Sequence, residues 1–509
     1  MMNVDAQSTA ELPRLVVNIL VDQLRADYLE TFSPLYGEDG FKRLMTEARF
    51  YADSQQPFVD ADCASAAATL VTGAVPRDHG IPSKTWLSRQ TLQPVYCVDD
   101  TRYKGVETFD QSSPNYLLTS ALSDELKQAT ARKSLVYSIA PERDVAVLMA
   151  AHVADGAYWI DDQTGAWCSS SFYGKLPSWI STYDRSEPLS RRIGHITWES
   201  VFDNAYPSFL YYHALTEASA KDFKHTFSGD RRYREFKSSA LVNDEVANLA
   251  EACLTGSLVG RDALPDLLCL GFYAGTFDHQ SVARYPSELQ DTYVRLDRAL
   301  AKLFAAIDRH IGMRQVLVVV SSTGYDDAAE SPTIAAGTFN MQRASMLLNM
   351  FLAAKHGQAQ YVEATYDKQI YLDHKLIEQR QLHLNDILVE SEEFLTQMEG
   401  VRDVFSLRSL VAGAHSTSLD DLRNAWAPTR WGDLIIEVHP GWTLTTEQGV
   451  ERVDRGHPYI AYPLFFLGAD VNAERITTPV SMAAIAPTLA RCLRIRAPNG
   501  SRTAPLVLK

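Results

Sequence analysis

Short apolar, branched runs recur along this chain at intervals long enough to hold a helix between them. Leu15 to Val21 (LVVNILV) suits a strand buried on both faces. Asp22 follows at its carboxyl end, where open α/β sheets place their ligands. Asp22 to Tyr28 then starts a helix. Further strands are expected at Leu135–Ile139, Leu267–Phe272, Val316–Val320, Leu434–Val438 and Leu464–Leu467. Between them, Leu289, Tyr293, Leu296, Leu300, Leu303 and Ile307 recur at three and four spacing and form one apolar helical face. A late helix lies within Ser481–Leu493, with Pro487 marking either its first turn or a kink. Such alternation predicts an α/β fold with a mainly parallel central sheet flanked by helices.

At 509 residues and 46% hydrophobic content the chain can bury a large core. The reading is a tail over residues 1–14 and one domain over 15–509, with cap insertions at about 86–261 and 342–410. The first insertion is aromatic-rich and irregular. The second holds a strand at Gln369–Leu372 and a polar helix around Asn385–Glu399. The net charge of −15 is spread without acidic blocks, which argues against a nucleic-acid backbone or an anionic membrane as partner.

Six scattered cysteines, Cys63, Cys97, Cys168, Cys253, Cys269 and Cys492, form no C-x-x-C pair, so a zinc knuckle is not expected. Cys269 sits in an apolar run and reads as core. No stretch is long and apolar enough to span a bilayer. Val4-Asp5-Ala6 before Gln7 is similar to the small-residue end of a cleavage site; a truncated signal and an ordinary cytoplasmic start both fit it.

Several ordered segments carry a family resemblance. Val21-Asp22-Gln23-Leu24-Arg25-Ala26-Asp27-Tyr28 opens it, followed by Gly40-Phe41-Lys42-Arg43-Leu44 and Thr72-Gly73 through His79-Gly80-Ile81. Ala154 to Trp159, Gln369 to Leu372, Gly432-Asp433-Leu434, Pro440-Gly441-Trp442, Ile485 to Leu489 and Pro498 to Ser501 continue it. In order and spacing the chain resembles the alkaline phosphatase superfamily, and within it the monomeric periplasmic alkaline phosphatases of Bacteroidota, related to type I phosphodiesterases and nucleotide pyrophosphatases. The resemblance implies that fold, a periplasmic location and a two-zinc phosphohydrolase site. There, two zinc ions about 4 Å apart clamp the phosphoryl group and activate a Thr or Ser nucleophile.

The residues at the implied positions are the wrong types for that chemistry. Asp22 matches the first metal ligand. The nucleophile position is Cys63. The Asp-x-x-x-His element falls on Thr276 and Gln280, the Asp-His pair on Ser322 and Thr323, and the last His on Ala461. Zinc needs deprotonated Asp, Glu, Cys or His donors, and hydroxyls, amides and alanine do not supply them. Of the substrate-binding positions, Arg143 is kept, the Asn reads Lys84 and the Lys reads Pro141. Asp278 and His279, Asp326 and Asp327, or Asp454 and His457 would be the sources of a rearranged metal site; a surface-loop role is the expectation for all six. His79 reads as a hydrogen-bonded structural histidine.

Cys63 lacks the sequence context for formylglycine maturation, and Ala64 to Ala68 supplies no arginine cradle for a cysteine phosphatase. The expectation is therefore a pseudophosphatase with no cofactor, acting as a binding, scaffolding or assembly component for a protein partner. Tyr158, Trp159, Trp167, Phe172 and Tyr173 are its candidate interface anchors, with simple packing as the competing role. The alternative is a phosphate-ester hydrolase with a reduced zinc site or a Cys63 nucleophile.

Overall fold

A computed structural model describes residues 12–186, 188–202, 206, 209, 222–326, 337–413, 417–446, 451–453 and 459–509. Residues 1–11 of the tail, and Asp327, Asp454 and His457, lie outside the described residues.

The Leu15–Asp22 strand runs through the middle of a sheet of ten strands among the described residues. From one edge the order is Glu474–Ile476, Arg49–Tyr51, Leu464–Gly468, Val316–Ser322, Leu15–Asp22, Asp266–Tyr273, Val136–Ile139, Gly156–Ile160, Trp167–Ser170 and Gly105–Val106. The five strands from Val316–Ser322 to Gly156–Ile160 are parallel. Leu464–Gly468 pairs antiparallel with Val316–Ser322.

Strand alternation explains why the run must be apolar on both faces. Val17, Ile19 and Val21 enter one core, with the Leu241–Gly256 and Pro286–His310 helices. Val16 and Leu20 enter the opposite core, with the Cys63–Thr72, Arg143–Ala150 and Ile485–Leu493 helices. Pro286 occupies the first turn of its helix, where a missing N–H costs nothing, and Arg309 and His310 sit in the last turn. Pro487 likewise falls in the first turn of Ile485–Leu493, which resolves the start-or-kink alternative. Cys269 is fully buried in its strand, as expected.

Three expectations are corrected. Leu434–Val438 is not a strand of the central sheet; it lies between Gln369–Leu372 and Val401–Ser406 in a separate antiparallel four-stranded sheet. The stretch 86–261 is not wholly an insertion, because it supplies four strands of the central sheet. Consequently Tyr158, Trp159 and Trp167 are 1–2% exposed interior residues and cannot anchor a surface partner. Phe172 and Tyr173 are half-buried. The helix after Asp22 begins at Ala26, since Gln23 adopts a left-handed φ of 60° that turns the chain first.

Candidate functional site

Four elements deliver the predicted residues to one place. Asp22 ends its strand at the sheet's carboxyl edge. Cys63 is the first residue of its helix, whose N-terminus is fixed by a capping box between Asp62 and Ser65. Lys84 precedes the Thr85–Leu87 strand, and its N–H donates to Asp62 at 2.5 Å. Arg143 begins the helix after Pro141 and Glu142. Asp22, Cys63, Lys84, Pro141, Arg143, Asp278, His279 and Thr323 all line a single cavity of about 1070 Å³.

Asp22 is held from the neighbouring strand end. The Thr323 hydroxyl donates to Asp22 Oδ1 at 3.0 Å and accepts from the Gln23 N–H at 2.9 Å. Other members of the implied set are turned to local tasks and do not line the cavity. The Thr276 hydroxyl donates to the Gln280 carbonyl. The Gln280 amide donates to the Asp278 carbonyl at 3.2 Å and accepts from Arg284 at 3.0 Å. Ser322 accepts from the Gly324 N–H at 3.2 Å, and Ala461 contributes its carbonyl to the Ala26 N–H at 2.9 Å.

The Cys63 thiol donates to Asp144 Oδ2 at 3.1 Å. Asp144 is fully buried, and its Oδ1 has no hydrogen-bond partner among the described residues. Burial and then the Asp144 charge push the thiol well above its ordinary value, so Cys63 is a protonated thiol at neutral pH. Lys84 Nζ lies 3.9 Å from the same Asp144 Oδ2, and 3.7 Å from Glu142. Asp144, then Glu142, holds the ammonium charged against the cost of burial.

The other cations follow the same pattern. Lys237, buried, bridges Glu142 at 3.1 Å and Asp162 at 2.5 Å. Burial works to raise the Glu142 carboxyl, but Lys237 and Lys84 outweigh it and pull it down to about 2. Arg143 reaches Asp99 at 3.0 Å and Asp110 at 3.7 Å, and its guanidinium covers the Tyr96 ring at 4.3 Å. Arg231 pairs with Asp278 at 2.6 Å. Asp144, Glu142, Asp162 and Lys237 were not singled out from the sequence. The available signal was the Glu142-Arg143-Asp144 triplet at a helix start directly beside a predicted contact.

The sequence model of the family described as type I phosphodiesterase / nucleotide pyrophosphatase matches residues 16–459. The chain belongs to this family. It is 28% identical over 531 residues to a protein of Myroides odoratus named a calcium-transporting ATPase, covering 98% of this chain and 95% of that one. It is 27% identical over 516 residues to alkaline phosphatase PhoV of Synechococcus elongatus, covering 97% and 92%. Alkaline phosphatase PafA of Elizabethkingia meningoseptica is 26% identical over 537 residues, covering 98% and 95%. A crystal structure of PafA superposes with a TM-score of 0.80 over 98% of this chain and 99% of that one, at 24% identity. The alkaline-phosphatase fold expected from the sequence is thus the fold observed.

Of the positions at which the resemblance implies ligands, only Asp22 carries an anionic oxygen, and Thr323 occupies one of its oxygens. Among the described residues no three His, Cys, Asp or Glu side chains group as a metal site. Asp278 is engaged by Arg231, and His279 packs edge-on to Tyr273 at 5.7 Å. Among the described residues no helix is long and apolar enough to cross a membrane.

Proposed function

We propose that this chain is a catalytically degenerate member of its phosphoesterase family, retained as a binding, scaffolding or assembly component and not as a hydrolase. The observation that carries the reading is the Cys63–Asp144–Lys84 arrangement. A nucleophile in a phosphoryl-transfer site must be deprotonated and face a cationic clamp. Here the thiol donates to an oxygen of a buried carboxylate, and the Lys84 ammonium lies 3.9 Å from that same oxygen, so the local charge is already matched within the protein. The cations that would hold phosphoryl oxygens, Lys84 and Arg143, already face protein carboxylates. An incoming phosphate would displace these partners and meet the Asp144 charge.

Two relatives carry the name alkaline phosphatase, so the test measures turnover directly. Purified protein is assayed with a nitrophenyl phosphate monoester and diester, with and without added zinc, alongside metal analysis. The expected result is background turnover and no stoichiometric metal pair. Robust turnover abolished by Cys63→Ala would establish a thiol mechanism. Turnover lost to a chelator but kept by Cys63→Ala would establish a metal site, and Asp278→Ala and His279→Ala would then map it.

A further inference from the structure

A second cavity, about 920 Å³, lies where the Thr85–Leu87 hairpin meets the helices that flank the antiparallel sheet. Its volume falls in the range of small-molecule sites. Its chemistry is the reverse of the first cavity's. Arg430 lines it, is 9% exposed and has no acidic partner among the described residues. One nitrogen, Nη1, donates to the carbonyls of Gly80 and, at 2.7 Å, Tyr116. Nε and Nη2, the edge that offers two parallel donors, make no hydrogen bond to the described residues. The guanidinium lies 4.9 Å from the Trp86 ring centre and 5.1 Å from that of Tyr116.

A buried guanidinium without a carboxylate is costly, and burial pulls Arg430 down to about 10, which still leaves it charged at neutral pH. Gly80 makes the approach feasible. Its φ is +83°, and a Cβ there would sit 2.8 Å from Arg430 Nη1. Of the residues lining the cavity, Asp433 is the one acid, and it is saturated by Arg89 at 2.9 Å, His374 at 2.8 Å and the Leu372 N–H at 2.7 Å. Arg408, exposed on the lining, has no ion pair among the described residues. Three arginines therefore face one carboxylate, with Arg430 and Arg408 uncompensated. On the same wall Leu407 and Val411, one turn apart on the Leu407–Ala412 helix, are 44% and 77% exposed.

We propose that this cavity binds a small aromatic carboxylate, its oxyanion on the free edge of Arg430 and its flat apolar body against the exposed Leu407 and Val411. The shape and charge match is direct. A planar carboxylate meets two parallel N–H donors, and the ring covers apolar surface that is otherwise in water. Nothing in the first cavity contributes, so the site stands whether or not the family chemistry is lost.

Titration calorimetry on the full chain tests this with 2-naphthoate, 2-naphthamide and 2-naphthyl phosphate as probes. The expected result is saturable naphthoate binding, with the uncharged amide weaker by at least about tenfold, the scale of one hydrogen bond to a charged group. Arg430→Lys removes the fork and should weaken naphthoate similarly. Because that change also disturbs the Gly80 contact, Val411→Asp and Arg408→Glu serve as independent variants on exposed residues. Each should weaken naphthoate at least several-fold while leaving the melting temperature unchanged. Arg143→Ala, in the first cavity, should change nothing. Absence of naphthoate binding at millimolar concentration overturns the proposal, as do equal affinity for the amide, tighter binding of the phosphate ester, or binding lost on Arg143→Ala and kept in Val411→Asp.

Discussion

Burial and the Asp144 carboxylate both push the Cys63 thiol up, and each has a separate experimental handle. A thiol kept protonated alkylates slowly, because the thiolate is the reactive form. In native protein, the Cys63 peptide should therefore be modified by iodoacetamide far more slowly than the same cysteine in the denatured chain. Asp144→Asn removes the second cause and should speed native modification by roughly tenfold. Peptide mass spectrometry separates Cys63 from the half-exposed Cys492. An unchanged Cys63 rate in a folded Asp144→Asn variant would show that the carboxylate does not hold the proton. His79 offers a second residue-level test. It is fully buried; its Nδ1 accepts from the Ile81 N–H at 3.1 Å, so Nε2 carries the proton toward Thr69 Oγ1 at 3.0 Å. Burial, then Arg430, lowers its pKa to about 3, against roughly 6.5 in an unfolded chain. The unfolded state then binds the extra proton between those values. His79 therefore supports the fold fully above pH 6.5 and progressively less as pH falls toward 3. The stability gap between wild type and His79→Gln, read from urea unfolding, should narrow from pH 7 to pH 5; a constant gap would sink this account.

Among the elements, the Cys63–Thr72 helix depends on its first residue's neighbour. Asp62 caps the Ser65 N–H at 2.9 Å and also accepts from the Lys84 N–H at 2.5 Å. Losing an N-cap costs about 1 kcal/mol, and the second bond is to a charged acceptor, so Asp62→Ala should cost about 2 kcal/mol. Equilibrium urea unfolding measures it; a loss within a few tenths would mean the cap is redundant. The elements also show where sequence reading reaches its limit. Leu15–Asp22, Asp266–Tyr273 and Val316–Ser322 were legible because strands covered on both faces must be continuously apolar. Leu464–Gly468 and Leu434–Val438 look the same by that criterion. Yet one runs antiparallel in the central sheet and the other lies in a different sheet, because apolarity records burial and not direction or partner. At the site, the structure brings Asp22, Cys63, Lys84 and Arg143, each legible from motif spacing, to one cavity, while Ser322 and Ala461 do not line it. Their acid partners were not, since Lys84 meets Asp144 and Lys237 meets Asp162 only through tertiary approach across 60 and 75 positions.

On the scale of the whole molecule, the antiparallel sheet is tethered to the central domain by buried charge. Lys368 bridges Asp60, just before the Cys63 helix, at 2.6 Å and Glu437 at 2.7 Å. Asp433 takes Arg89 from the hairpin, the Leu372 N–H from the sheet and His374 from the His374–Gln379 helix that follows that strand. Both bonds to Arg89 and the one to His374 are charge-assisted, and Asp433 is 8% exposed. Arg89 and His374 are themselves partly solvent-exposed, so losing the carboxylate should cost about 1.5–3 kcal/mol, the scale of a hydrogen bond to a charged group. Burial alone would raise the Asp433 carboxyl, but His374 and Arg89 reverse that and hold it below its ordinary value. A carboxylate lowered in the folded state contributes fully above its unfolded pKa of about 3.9 and loses that contribution as pH falls through the folded value. Asp433→Asn should accordingly lower stability strongly at pH 7 and by progressively less as pH falls below about 3.9. Hydrogen exchange at neutral pH should show where the loss falls. Protection is expected to drop first in Val362–Tyr366, Gln369–Leu372, Val401–Ser406 and Leu434–Val438, while Leu15–Asp22 and Asp266–Tyr273 keep theirs. A uniform loss across both sheets would mean that the two unfold as one cooperative unit and that Asp433 is not a local tether.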